Sequence, residues 1–224
     1  MSLNAKTWLG FFFLALAMGL LLFATAGTLR YWQAWVYLAV FFGASLLITL
    51  YLMRNDPALL GRRLRGGPTA ERRPAQQVIM SLASLAFIAS LAVPALDHRH
   101  SWSNVPSWAA ASGDALVALS FLITFLVYRE NPFTSATIEI APDQRVVSTG
   151  PYAIVRHPMY AGGSLLFLGT PLALGSWWGL LAFPAALPAL IWRLFDEERL
   201  LARSLPGYAA YCARVRWRLL PGIY

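Results

Sequence analysis

The chain has 224 residues, of which 58% are hydrophobic and only 12% charged, and a formal net charge of +8. A soluble domain carries about a quarter of its residues as charged side chains, so long uncharged runs place this chain among integral membrane proteins. One cysteine, Cys212, excludes an internal disulfide and a cysteine-built metal cage. The arginines sit in loops beside apolar runs, where membrane orientation accounts for them without nucleic acid.

Two uncharged runs open the sequence, Trp8–Leu29 and Tyr31–Met53, with only Arg30 between them. The first is too long for a signal-peptide core and lacks a small-residue cleavage site, so it is read as a retained membrane helix. So short a junction predicts a tight antiparallel hairpin. The polar stretch "RNDPALLGRRLRGGPTAERRPAQQ" reads as a loop with a short surface helix around Ala58–Leu64. A third span is expected over Val78–Leu96, bent near its end by Pro94, and a fourth from Trp108 to Tyr128, with Asp114 near its start.

A long polar segment follows, in which "SATIEI" and "QRVV" suggest short extended pieces. The uncharged stretch Met159–Trp192 exceeds one span and is interrupted by Pro171, Gly175, Pro184 and Pro188, which predicts two shorter helices in a hairpin. A charged, aromatic tail, Arg193–Tyr224, closes the chain. The expectation is therefore an all-α, multi-pass protein of about six spans with a helical tail. Residues 1–130 would form a four-span, substrate-side scaffold and 131–224 a cofactor-binding catalytic region. Only Arg30 and Arg99 fall on one side of such a bundle, so both termini and the long polar loops are expected in the cytosol.

Four polar groups need an account. Arg54, Arg62, Arg63, Arg65, Arg72 and Arg73 suit topology and anionic headgroups. His98 and His100 lack the partners of a metal site. Asp114 either caps the start of its helix, lies in the interface, or is functional. In "VVSTGPYAIVRHPMYAGG", Tyr152, Arg156 and Tyr160 would share one helical stripe with His157 beside it. Pro158 suits the first turn of the next helix, whose amino end favours a carboxylate. Gly162 and Gly163 would let a flat group or another helix approach. An interfacial aromatic belt would also explain the tyrosines. Asp196, Glu197 and Glu198, however, follow the last span immediately, where anchoring would favour cations. The hairpin returns them to the face that His157 occupies. One anionic and one cationic set at one mouth suit a zwitterionic ligand, with Glu197 on its ammonium and the arginine–histidine side or the helix end on its carboxylate.

These residues resemble the isoprenylcysteine carboxyl methyltransferases and their phospholipid methyltransferase relatives. The pattern G-x-Y-x-x-x-R-H-P-x-Y-x-G falls on Gly150, Tyr152, Arg156, His157, Pro158, Tyr160 and Gly162. The paired glutamates fall on Glu197 and Glu198, G-Y-x-x-Y on Gly207, Tyr208 and Tyr211, and R-x-x-P on Arg218 and Pro221. The resemblance covers the last third of the chain and implies an S-adenosylmethionine site in the membrane, bounded by the last two spans and the tail. It implies cofactor contacts from Gln144, Arg145, Val146, Val147, Tyr152, His157, Pro158, Met159, Tyr160 and the pair Glu197 and Glu198. Arg193 would serve the substrate side.

Transfer from a sulfonium dissipates positive charge, which a low-dielectric pocket favours. Tyrosine faces suit the sulfonium, and no metal is required. The acceptor would be lipophilic and arrive from the bilayer: a prenylcysteine-like carboxylate held by arginine, a lipid, or a small apolar thiol or hydroxyl. In the last case His157 is the only histidine placed to act as a base. The rival expectations are an NADPH-dependent membrane sterol-type reductase and a non-catalytic transporter or lipid-binding protein.

Overall fold

The computed structural model describes residues 1–71, 73–138 and 143–223. Eight α-helices run in order: α1 Leu3–Ala26, α2 Trp32–Asn55, α3 Pro57–Arg63, α4 Pro74–His100, α5 Ser107–Glu130, α6 Pro158–Ala173, α7 Ala182–Ser204 and α8 Tyr208–Arg214. Short 3-10 turns occupy Pro68–Ala70, Gly150–Ala153 and Trp178–Leu181. No strand occurs among the described residues. The "QRVV" segment is irregular rather than extended pairing backbone. Most of "SATIEI" precedes residues 139–142, which lie outside the described residues, as does Arg72.

Among the described residues, five helices are long and apolar enough to cross a bilayer: α1, α2, α4, α5, and α7 together with the turn before it. The expected pair of shorter helices after residue 158 is instead one short and one long. Helix α6 has 16 residues, about 24 Å at 1.5 Å per residue, less than the ~30 Å hydrocarbon core. Helix α7 runs unbroken through Pro188 for 23 residues, because one proline removes a single ladder hydrogen bond that the flanking turns outweigh.

The α1–α2 junction is the tight hairpin expected: Gly27 caps α1 in the left-handed region at φ 69°, and Phe23 packs on Trp35 with ring centroids 4.6 Å apart. Leu9, Phe12, Phe13, Leu16 and Leu20 form an exposed apolar face on α1, as a helix solvated by lipid requires. The core gathers Met18, Leu22, Tyr37, Phe41, Leu91 and Val117 from four helices and Leu174 from the end of α6. It lies towards the α1–α2 turn, where the Tyr31 hydroxyl donates to the Leu174 carbonyl at 2.6 Å.

Helices α5 and α6 make the most extensive helix–helix contact. A β-carbon on Gly113 would fall 2.2 Å from the Ala173 amide nitrogen, and one on Gly169 would fall 2.8 Å from the Gly113 carbonyl oxygen. At the other end, Gly162 abuts Ser120 and Ile123, so the two helices are antiparallel with touching backbones. Asp114 does not cap α5: it lies buried beyond the first turn, with Oδ1 unpaired among the described residues. His98 stacks on Tyr31 at 4.0 Å and His100 on Trp102 at 5.4 Å.

Candidate active site

A cavity of about 360 Å³ opens where α4, α6 and α7 meet the 131–157 segment and the tail. That size falls within the ~300–1,000 Å³ range of small-molecule pockets. One wall is the quoted motif. Tyr152, Arg156 and Tyr160 do not share a helical stripe, because the backbone breaks between the 3-10 turn and α6. His157 precedes a proline and adopts φ −125°, ψ 63°, outside the α region that the following ring disfavours. Pro158 then opens α6, as expected. The break is held from the tail: the amides of Arg156 and His157 donate to the carbonyls of Trp217 and Arg218, both at 2.9 Å.

Gln144, Arg145, Val146, Val147, Tyr152, His157, Pro158, Met159, Tyr160, Arg193 and Glu197 all line this cavity. Glu198 does not. Successive residues on a helix point about 100° apart, and the two glutamates diverge accordingly. Glu197 accepts a hydrogen bond from the Tyr160 hydroxyl inside the cavity. Glu198 faces a cationic knot, with Oε1 2.9 Å from Arg156 Nη1 and 3.3 Å from His157 Nε2, and Oε2 3.0 Å from Arg218 Nε. The His157 ring stacks on Tyr160 with centroids 5.5 Å apart. Asp196 turns to the other side of α7, where it accepts from Gln76 Nε2 at 2.6 Å and pairs with Arg73 at 3.4 Å.

Tyr152 is fixed from both ends. Asn131 Nδ2 donates to its hydroxyl at 2.9 Å, and its carbonyl accepts from the Tyr211 hydroxyl at 2.8 Å. Burial pushes its phenol up to about 12, so it stays protonated at any physiological pH. Tyr208 and Tyr211 complete an aromatic wall, packed with Leu205 and Val215 on Val146 and Tyr152. The two glycines of the motif divide their work: Gly162 meets α5, whereas a β-carbon on Gly163 would meet nothing within 4 Å, and Gly163 lines the cavity. Ile79, Met80 and Ala83 of α4, Phe167 of α6, and Ala186, Ala189 and Leu190 of α7 make the apolar side.

Residues 108–206 match the family model described as phospholipid methyltransferase. That stretch is similar to the phospholipid methyltransferases. It runs from the start of α5 to just past α7, so it carries the antiparallel α5–α6 pair, the motif and both glutamates. The matched stretch thus sits within a set of membrane-length helices. No curated protein matches the chain.

The region before residue 108 also reaches the site, which sequence reasoning missed. Arg193 Nη1 donates to Glu71 Oε1 at 2.8 Å and to Gln76 Oε1 at 2.9 Å, and Nη2 donates to the Ala136 carbonyl at 3.0 Å. Arg63, one of the supposed topology arginines, donates to the Ser135 carbonyl at 2.6 Å and lies 5.3 Å over the Tyr128 ring. Arg62 donates to the Pro132 carbonyl. These arginines tie the α3–α4 connection to the cavity's loop wall. The one available signal was Glu71 itself, a carboxylate set among arginines in "TAERRP".

Proposed function

We propose that the protein transfers a methyl group from S-adenosylmethionine to a lipophilic acceptor. What supports this best is the meeting of Glu197, Tyr160, His157 and Tyr152 around one cavity, although Glu197 and His157 are far apart in sequence. The donor set fits the cofactor. Glu197 suits its ammonium, the tyrosine faces suit its sulfonium, and the Arg145 guanidinium, which lines the cavity, suits its carboxylate. When bound, S-adenosylmethionine supplies the electrophilic methyl group.

The residues' own work is binding, orientation and exclusion of water. Tyr160 and Tyr152 offer aromatic faces worth roughly 0.5–2 kcal/mol to a cation. Glu198 acts through His157 and Arg156, fixing the imidazole against Tyr160 and the motif against the tail. The apolar faces of α4, α6 and α7 keep the reacting end dry and receive the acceptor's hydrocarbon, so most of the acceleration comes from alignment. In this scheme residues 131–224 are the catalytic region and the preceding helices the substrate-side scaffold. The mouth opens to the cytosol, from which a water-soluble cofactor arrives.

Retention of tritiated S-adenosylmethionine by the purified protein in detergent, with NADPH as competitor, tests the proposal. The expected outcome is saturable binding that NADPH does not displace. Glu197→Gln and His157→Ala should each lower affinity about tenfold or more, as loss of a hydrogen bond to a charged group predicts. Wild-type affinity in both variants, or binding of NADPH alone, would remove the assignment.

A further inference from the structure

We propose that Glu71 is a specificity residue: by neutralising Arg193 it makes the acceptor subsite receive an uncharged nucleophilic head and refuse a carboxylate. The inference rests on the methyltransferase reading above and narrows its acceptor class. Arg193 lines the cavity from α7 beside the apolar Ala189 and Leu190, and alone it would be the natural anchor for an acidic substrate. It is not alone. Glu71 is 4% exposed and stands 2.8 Å from Nη1. Gln76, fully buried, spends its carbonyl on the same nitrogen, while its amide holds Asp196 at 2.6 Å. Nη2 is taken by the Ala136 carbonyl.

A carboxylate brought to Arg193 would have to displace Glu71, leaving a buried charge without its partner. The other groups offer no substitute. Arg156 is paired with Glu198, Arg63 is committed to Ser135 and Tyr128, Arg145 is given to the cofactor's own carboxylate in the reading above, and Glu197 repels an anion. An uncharged head meets none of these costs. In the transfer, the nucleophile's lone pair forms the new bond to the methyl carbon and the carbon–sulfur bond breaks with its electrons left on sulfur. An amine then carries its protons into the product ammonium, and a thiol or hydroxyl passes one to the His157 imidazole. The acceptor class is thus an alkyl chain ending in an uncharged nitrogen, sulfur or oxygen nucleophile.

Decylamine, decanethiol, decanol and decanoate, presented with labelled S-adenosylmethionine to the full-length protein, test this. Wild type should methylate one or more of the first three and leave decanoate untouched. Retention of radiolabelled decanoate, which needs no turnover, should be weak in wild type and tighten about tenfold or more in Glu71→Gln, where Arg193 loses its anionic partner. Glu71→Asp should restore the wild-type pattern. Glu71→Gln with Arg193→Gln, which removes both charges and so spares a weakly folding single variant, should bind decanoate no better than wild type. Methylation of decanoate by the wild-type protein, or equal decanoate retention in wild type and Glu71→Gln, overturns the inference. Failure to bind S-adenosylmethionine at all would instead count against the methyltransferase cofactor.

Discussion

Glu197 and Glu198 are chemically identical neighbours with separable duties, and their difference is a matter of helical angle. Glu197 reaches the cavity and Tyr160. Glu198, its side chain 13% exposed, contacts Arg156, His157 and Arg218 at once. Removing its charge leaves two guanidiniums facing each other in a mostly buried knot, at a cost of roughly 3 kcal/mol by the usual penalty for breaking one side of a buried pair. Glu198→Gln should therefore lower the unfolding temperature in detergent by several degrees, while Glu197→Gln lowers cofactor retention and leaves that temperature near wild type. Matching effects in the two variants would mean that both glutamates belong to one site. Sequence placed both on the cofactor because a motif reports positions and not azimuth. It could not separate them without the register of α7, and it missed Glu71 and Gln76 because their partner lies more than a hundred positions away.

At the scale of helices, glycine decides where backbones touch and where a ligand has room. Gly113 and Gly169 sit where α5 and α6 meet, with prospective β-carbons at 2.2 and 2.8 Å from backbone atoms of the other helix. Gly163 faces open space in the cavity. Gly169→Ala should thus reduce the yield of folded protein and its unfolding temperature, the cost being at least the ~1–3 kcal/mol of overpacking. Gly163→Ala should fold normally and Gly163→Leu should block cofactor retention. Size-exclusion profiles read beside labelled S-adenosylmethionine retention distinguish the two behaviours, and a misfolded Gly163→Ala would place that residue in the helix contact instead. The hydrophobic runs made α1, α2, α4 and α5 legible in sequence, because apolar length and proline placement are local signals, whereas α7 was expected as a shorter helix and runs unbroken through Pro188. The break at His157 was less legible: the spacing of Tyr152, Arg156 and Tyr160 imitates a helix, and the proline that prevents one also announces the next.

Across the whole molecule, three segments distant in sequence form one end of the bundle: the α3–α4 connection, residues 131–157 and the tail. Arg73 bonded to Asp196, Arg62 to Pro132, and Arg156 and His157 to the tail backbone fix that arrangement. The opposite end holds the α1–α2 turn, where the Arg99 guanidinium lies 3.8 Å from the space beside Gly27. Positive charge concentrated at the cavity's end predicts that this end is cytosolic. The sole native cysteine is Cys212, so a Cys212→Ser background accepts single reporters cleanly. Arg65→Cys and Arg216→Cys, both at exposed positions near the cavity, should react with a membrane-impermeant maleimide only in inside-out vesicles. Asn104→Cys, exposed in the α4–α5 turn, should react only in right-side-out vesicles or intact cells. Labelling of Arg65→Cys and Arg216→Cys from opposite sides would contradict the assembly of the cavity itself, since its two walls would then lie across the bilayer from one another. Labelling of both from outside would preserve the cavity and reverse the membrane orientation, removing cytosolic supply of the cofactor. The charge asymmetry was visible in sequence from the outset, but which loops close on which side chains follows from helix register and packing, which only the folded chain supplies.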